Sequence, residues 1–231
     1  MQPFRELTAV AAPLRRLNVD TDAITPGSQL LKVSVTKEGY GGCLFYNWRH
    51  REDGSEEPDF VLNKAPYRHA KILLAGHNFA CGSSREVAVW ALRDYGFRCV
   101  IAPSFGNIFY SNAFKNGLLP VTLGEEDVEA IADEVEHQHG NEPVTVDLEH
   151  NHVISPSGRL FVFRVPEIYR QALLDGLDPI SATLRFADDI VAFQTQDRRK
   201  RAWAYFGGPG IARKSFDISP SGTMKEAGKT S

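Results

Sequence analysis

Cysteine is scarce in this chain: Cys43, Cys81 and Cys99 are the three among 231 residues. They are too few and too scattered for a disulfide framework and form no C-x-x-C pair, so a reducing compartment is expected. Long apolar runs are missing as well. No stretch approaches the roughly 20 residues that span a bilayer. The short apolar segment from Ala9 to Leu14 is hemmed in by Arg5, Glu6, Arg15 and Arg16, which argues against a secretory signal. A cytoplasmic protein with no membrane role is therefore expected. Charge of one sign is not in excess either. With 26 Lys+Arg against 29 Asp+Glu, the net charge of -3 lacks the strongly basic balance that a nucleic-acid backbone calls for. Finally, no G-x-G-x-x-G, P-loop, G-x-S-x-G or H-E-x-x-H string occurs, which removes nucleotide binding and the common hydrolase schemes.

What is present begins with length: 231 residues suffice for a sizeable core. The small net charge hides an asymmetry. Residues 197–231 carry eight Lys/Arg against three Asp/Glu, or +5, which leaves 18 minus 26, or -8, for residues 1–196. The natural division is a domain over 1–196 and a basic tail over 197–231.

The first 66 residues alternate polar turns with short apolar segments and read as loop-rich with a few strands. Order increases after that. Lys71 to Ala75 is a nearly continuous apolar run, as a strand covered on both faces requires. After a loop, Ser83-Ser84-Arg85-Glu86 matches the S-x-x-E capping box, and Val87, Trp90, Ala91 and Tyr95 mark a helical stripe that Gly96 can end. A second strand (Cys99 to Ala102), a second helix (about Asn107 to Lys115) and a third strand (Pro120 to Leu123) complete a β-α-β-α-β unit, which implies a parallel sheet. Glu125 to His137 is an amphipathic helix. Val144 to Leu148, His152 to Ile154 and Leu160 to Phe163 read as strands, and 167–175 and 180–194 as helices. The fold class is mixed α/β.

The loop ahead of the capping box concentrates the chemistry. Gly82, two serines and an arginine at a helix start place backbone N–H groups, hydroxyls and a guanidinium around one point, which suits an anion. Arg85 can grip a carboxylate in bidentate fashion, and the same donors would stabilise a serine alkoxide able to take a proton next to that carboxylate. A plainer reading is also open on these four residues: Ser83 and Glu86 cap a helix while Arg85 lies in solvent. In Asn18-Val-Asp20-Thr21-Asp22, the two carboxylates could orient a basic residue or a divalent ion, but two make a poor cation site and Asx turns explain them more simply. Arg49, behind Trp48, is a candidate second carboxylate clamp. The pairs His137/His139 and His150/His152 lack the companions of a metal site and read as surface histidines.

Five blocks in order carry a resemblance. They are Asn18 to Asp22 with Ile24 and Pro26, Leu73 to Glu86, Trp90 to Gly96, Ile101 to Phe105, and Lys115 to Pro120. Together they resemble the small-subunit family of 3-isopropylmalate dehydratases, the swivel-domain half of the aconitase superfamily, from about Leu17 to Phe193. The resemblance implies a β/β/α swivelling fold like the fourth domain of aconitase. It implies a hydro-lyase of leucine biosynthesis that isomerises 2-isopropylmalate and 3-isopropylmalate by dehydration and rehydration. It also implies an obligate large subunit that holds a [4Fe-4S] cluster as Lewis acid for the departing hydroxyl, with no metal or cofactor on this chain, whose three isolated cysteines lack ligand spacing. Carried over by position, Ser83 resembles the proton-abstracting base, Arg85 a substrate-carboxylate ligand, Ser84 a lining residue of the same loop, and Arg49 a further substrate arginine. Asp20, Thr21 and Asp22 match an orienting loop.

Two positions depart from the pattern. Val87 stands where the family usually has histidine, and the stretch after Pro26 lacks the usual lysine near Gly27. These departures keep two alternatives in view: a paralogue for another hydroxy diacid of methylmalate or homoaconitate type, and a non-catalytic swivel module that binds a partner. The tail likewise has two readings, a solvated or disordered end, or a docking segment in which Trp203, Tyr205 and Phe206 anchor on the partner subunit.

Overall fold

The computed structural model describes residues 1–33, 39–82 and 84–205. They divide into two compact units, Met1–Leu184 and one that begins at Arg185. The first opens with two strands, β1 (Glu6–Ala9) and β2 (Ala11–Leu14), and three short helices, α1 (Thr21–Ile24), α2 (Gly27–Leu30) and α3 (Tyr46–Arg49). It continues with β3 (Ile72–Ala75), α4 (Val87–Tyr95), β4 (Cys99–Ala102), α5 (Asn107–Lys115), β5 (Leu119–Thr122) and α6 (Glu125–His137). It closes with β6 (Val144–Asp147), β7 (His152–Ile154), β8 (Leu160–Val162), α7 (Glu167–Asp175) and α8 (Pro179–Leu184).

Two four-stranded sheets result. Strands β2, β3, β4 and β5 lie side by side in that order and are parallel throughout. Every residue of β2, β3 and β4 is buried, the pattern of a sheet covered on both faces. Helix α6 packs on β2, β3 and β4 through Val128, Ile131, Ala132 and Val135. The other sheet, in order β1-β6-β7-β8, is antiparallel, and Val153 and Phe161 are its inward residues on β7 and β8 while their neighbours are more open. One hydrophobic cluster joins side chains of both sheets, Val146 and Phe161 with Leu73 and Val121 among them. The turn between β7 and β8 forms at Pro156-Ser157-Gly158 as expected, with the Gly158 N–H donating to the Ser155 carbonyl at 2.9 Å.

The β-α-β-α-β unit is therefore present, with the third strand one residue earlier than the apolar pattern suggested. One local expectation needs correction. The buried face of α4 is Ala88, Val89, Ala91 and Leu92, whereas Val87, Trp90 and Tyr95 are only half-buried. The Glu86 carboxylate accepts from Asn116 Nδ2 at the end of α5, and Glu86, the residue before α4, makes no side-chain cap bond among the described residues. Asn116 Oδ1 in turn accepts from Trp90 Nε1 at 3.1 Å. A tertiary partner thus engages the carboxylate that local spacing assigned to the helix end. Ser83, the other half of the box, lies outside the described residues.

In the second unit, α9 (Ala187–Lys200) runs through residue 196, where the basic tail was expected to begin, and is followed by a tight turn over Ala202–Ala204. The helix expected over 180–194 is two helices, α8 and α9. Tyr205 donates to Asp197 Oδ2 at 2.9 Å and its ring lies 4.9 Å from the Arg198 guanidinium carbon, while Trp203 is exposed. Phe206 and the remainder of the tail are outside the described residues. Among the described residues, no helix is long and apolar enough to cross a membrane.

Candidate active site

The loops that leave the C-terminal ends of β2, β3 and β4 come together, the edge at which parallel sheets ordinarily place their ligands. They are laced by backbone bonds. Asn18 N–H donates to the His77 carbonyl at 2.9 Å, Thr21 N–H to Cys81 at 3.1 Å, and Cys81 N–H to Val19 at 3.3 Å. The third loop joins through Phe79 N–H to the Ser104 carbonyl at 3.0 Å and Gly106 N–H to the Phe79 carbonyl at 2.8 Å. Side chains add to this: Asn78 Nδ2 donates to Asn18 Oδ1 at 2.9 Å, and Asn78 N–H to Ser104 Oγ at 2.8 Å.

Two glycines permit the approach. A Cβ on Gly76 would lie 2.5 Å from the Arg16 carbonyl oxygen, and one on Gly106 only 2.4 Å from that of Ala80. Ala80 itself has φ of +56° and Asn78 of +59°. A left-handed alanine costs on the order of 1 kcal/mol or more and persists only where surrounding bonds over-determine it. These loops form a stiff platform next to Gly82 and Arg85.

The aspartates of the first loop divide the work. Asp20 is the N-cap of α1, its Oδ1 accepting from Ala23 N–H at 2.7 Å, so the Asx reading holds for it. Thr21 is buried, and its carbonyl accepts from Thr25 N–H at 3.0 Å and from Thr25 Oγ1 at 3.0 Å. Asp22 is exposed and forms an ion pair with Arg85, which comes from the loop after β3. Ser84, beside Arg85, is exposed, and Ser83 between Gly82 and Ser84 lies outside the described residues.

Arg49 is placed differently. Its guanidinium lies 4.9 Å from the ring centre of Tyr95, the last residue of α4, while Arg85 precedes the first. Arg49 Nη1 donates to the Leu44 carbonyl at 3.4 Å, and its buried Nε has no hydrogen-bond partner among the described residues. The structure does not bring Arg49 to Arg85. Its neighbour Trp48 takes that side instead: with Arg16, Asn18, Asp20 and Ala23 it lines an open recess of about 430 Å³. The Arg16 guanidinium carbon is 4.2 Å from the Trp48 ring centre, a cation–π contact at the lip of this recess. Arg16 and Trp48 were not singled out from sequence. The signal for Arg16 was its place just after a buried parallel strand, where ligand-facing residues gather.

The arrangement suits a carboxylate. Arg85 offers a planar fork of donors beside the exposed Ser84, and Asp22 pairs with it. Among the described residues no three His, Cys, Asp or Glu side chains form a metal-binding group. Cys43 and Cys99 are buried apart from the loops, and burial pushes both thiols upward, away from the thiolate that ligation needs. The histidine pairs also lie elsewhere: His150 Nδ1 sits 2.7 Å from Asp147 Oδ2, with His152 Nε2 at 3.7 Å from the same oxygen.

Comparison with known proteins agrees with this geometry. A model of the aconitase C-terminal domain matches residues 1–126. The 3-isopropylmalate dehydratase small subunit of Cupriavidus necator is 49% identical over 210 residues, which cover 90% of this chain and all of that protein. The protein of the same name from Brucella canis is 48% identical over 204 residues, 88% of this chain and all of the relative. Among solved structures, the 3-isopropylmalate dehydratase of Methanocaldococcus jannaschii superposes with a TM-score of 0.54 at 25% identity, covering 83% of this chain and 99% of that one. The chain belongs to the 3-isopropylmalate dehydratase small-subunit family, built on the aconitase C-terminal domain.

Proposed function

We propose that the chain is the small subunit of a cytoplasmic hydro-lyase that interconverts 2-isopropylmalate and 3-isopropylmalate in leucine biosynthesis, and that it acts only with a large subunit carrying a [4Fe-4S] cluster. One observation carries the reading: Arg85 stands on a rigid loop platform at the ligand edge of the parallel sheet, oriented by Asp22, in a chain nearly half identical to the full length of dehydratase small subunits. Three free cysteines agree with a reducing cytoplasm.

In this reading the chain contributes carboxylate binding and proton transfer. Arg85 takes one carboxylate of the hydroxy diacid through two parallel N–H···O bonds, and Ser84 and the loop amides line the same anion site. Ser83 removes the proton from the carbon next to the hydroxyl-bearing one. Its alkoxide oxygen holds that proton while the C–O bond breaks and the hydroxyl departs as hydroxide, which a Lewis acid on the large subunit would take up, to give the alkene diacid; the serine returns the proton when hydroxide adds the other way round. Asp20 and Thr21 keep the α1 turn in register with the loop after β3. Arg49, whose guanidinium rests 4.9 Å from the Tyr95 ring centre, is the further substrate arginine of this reading.

The test is reconstitution. The chain is mixed with its iron–sulfur large subunit and alkene-diacid formation is followed from 3-isopropylmalate, a methylmalate and homoaconitate. Turnover on 3-isopropylmalate with the highest kcat/KM supports the proposal. Preference for another diacid would assign a paralogue, and complex formation without turnover on any of them would make the chain a binding module.

A further inference from the structure

The parallel sheet has a second edge with an unused cluster of charge. At the N-terminal ends of its strands, away from the loops of the candidate active site, an inward recess of about 420 Å³ is lined by Lys71, which precedes β3, Arg98, which precedes β4, and Arg93 from the last turn of α4. Glu6 is the carboxylate among its walls. Yet Glu6 pairs with none of the three cations, and no other carboxylate among the described residues does so. Some cations elsewhere are neutralised, Arg15 by Glu129, Asp133 and Glu136.

Arg98 is the centre of the cluster. Its Nη1 donates to the Gln2 side chain, its Nη2 lies 3.4 Å from the Pro3 carbonyl, and its Nε is shielded from solvent with no hydrogen-bond partner among the described residues. Burial, then the like charge of Arg93, lowers its pKa, so the two guanidiniums repel each other across the recess. A charge-assisted donor left unmade beside a second unpaired guanidinium is costly, and a bridging anion would relieve both penalties at once.

From this geometry we propose that the recess binds a small dianion, a phosphate monoester or a dicarboxylate, held between Lys71, Arg93 and Arg98. The site stands at the opposite edge of the sheet from Arg85, so it can be filled while the loop site is occupied or empty.

The test is a titration of the isotope-labelled full chain, followed through the backbone amides of Gly96, Arg98 and Gly117, with sodium phosphate, sodium succinate and sodium chloride at equal ionic strength. The expected result is a saturable shift of these amides with phosphate or succinate and none with chloride, the responding salt naming the source of the dianion. In Lys71→Gln/Arg93→Gln, two substitutions at exposed positions that spare the core, the affinity should fall about tenfold or more through loss of two charged contacts. Amides that ignore both dianions, or that titrate identically in the double variant, would overturn the proposal.

Discussion

Arg85 and Asp22, 63 residues apart in sequence, are joined by an ion pair that bridges the loop after β3 and the first turn of α1. Asp22 is largely solvent-exposed, so the pair contributes about 0–1 kcal/mol to stability and its value is orientation. Asp22→Asn should therefore leave Tm unchanged while raising KM for the hydroxy diacid about three- to tenfold. Arg85→Lys keeps the charge but loses the bidentate fork, and should lower kcat/KM about 100-fold. Steady-state kinetics on the reconstituted enzyme read both effects; equal kinetics in Arg85→Lys would remove Arg85 from the substrate.

Gly106 is where the loop after β4 touches the loop after β3. An added methyl would sit 2.4 Å from the Ala80 carbonyl oxygen, a backbone atom that cannot swing aside. Gly106→Ala is expected to cost about 1–3 kcal/mol, read by urea unfolding, and to lower activity by displacing the platform.

Leu73 is fully buried in β3, between the two neighbouring strands that flank it in the parallel sheet. Leu73→Ala should cost about 2–5 kcal/mol in the same measurement through the lost side chain and the cavity it leaves.

His150 and Asp147 make stability depend on pH. The hydrogen bond and charge of Asp147 raise the His150 pKa; burial pushes Asp147 upward, but the hydrogen bonds from His150 outweigh it and hold the carboxyl below its ordinary value. A raised histidine stabilises fully below its unfolded pKa of about 6.5 and loses that contribution as pH rises through the folded value. A depressed aspartate stabilises above its unfolded pKa of about 3.9 and loses that contribution as pH falls through the folded one. The pair therefore helps most between about pH 4 and 6.5. His150→Asn should flatten the fall of Tm between about pH 6 and 8, measured by thermal melts across that range.

The regular half of the fold was legible because its signals are local. Strand β4, helix α6 and strand β7 fall where periodicity put them, since continuous burial and a single apolar stripe each leave a periodic trace. The partner of β1 was not legible: Glu6–Ala9 pairs with Val144–Asp147, and nothing in either segment names the other. Glu86 shows the same limit at the site. Its spacing from Ser83 suggests a cap, but Asn116, 30 residues on, supplies a donor in the folded chain. Arg85 and Asp22 were both picked out as separate motifs, and only the loop lacing shows that they meet. Arg49 was chosen for its charge and position, and its contacts with Leu44 and Tyr95 could not be read from sequence.

The central assignment is that this chain supplies the base and the carboxylate ligand of the hydro-lyase. The most direct measurement is the turnover of 3-isopropylmalate by the reconstituted enzyme carrying Ser83→Ala, with complex formation checked by gel filtration. A loss of about 10²–10⁴-fold in kcat, with KM little changed and the complex intact, is the predicted result. Full turnover by the Ser83→Ala enzyme would contradict it.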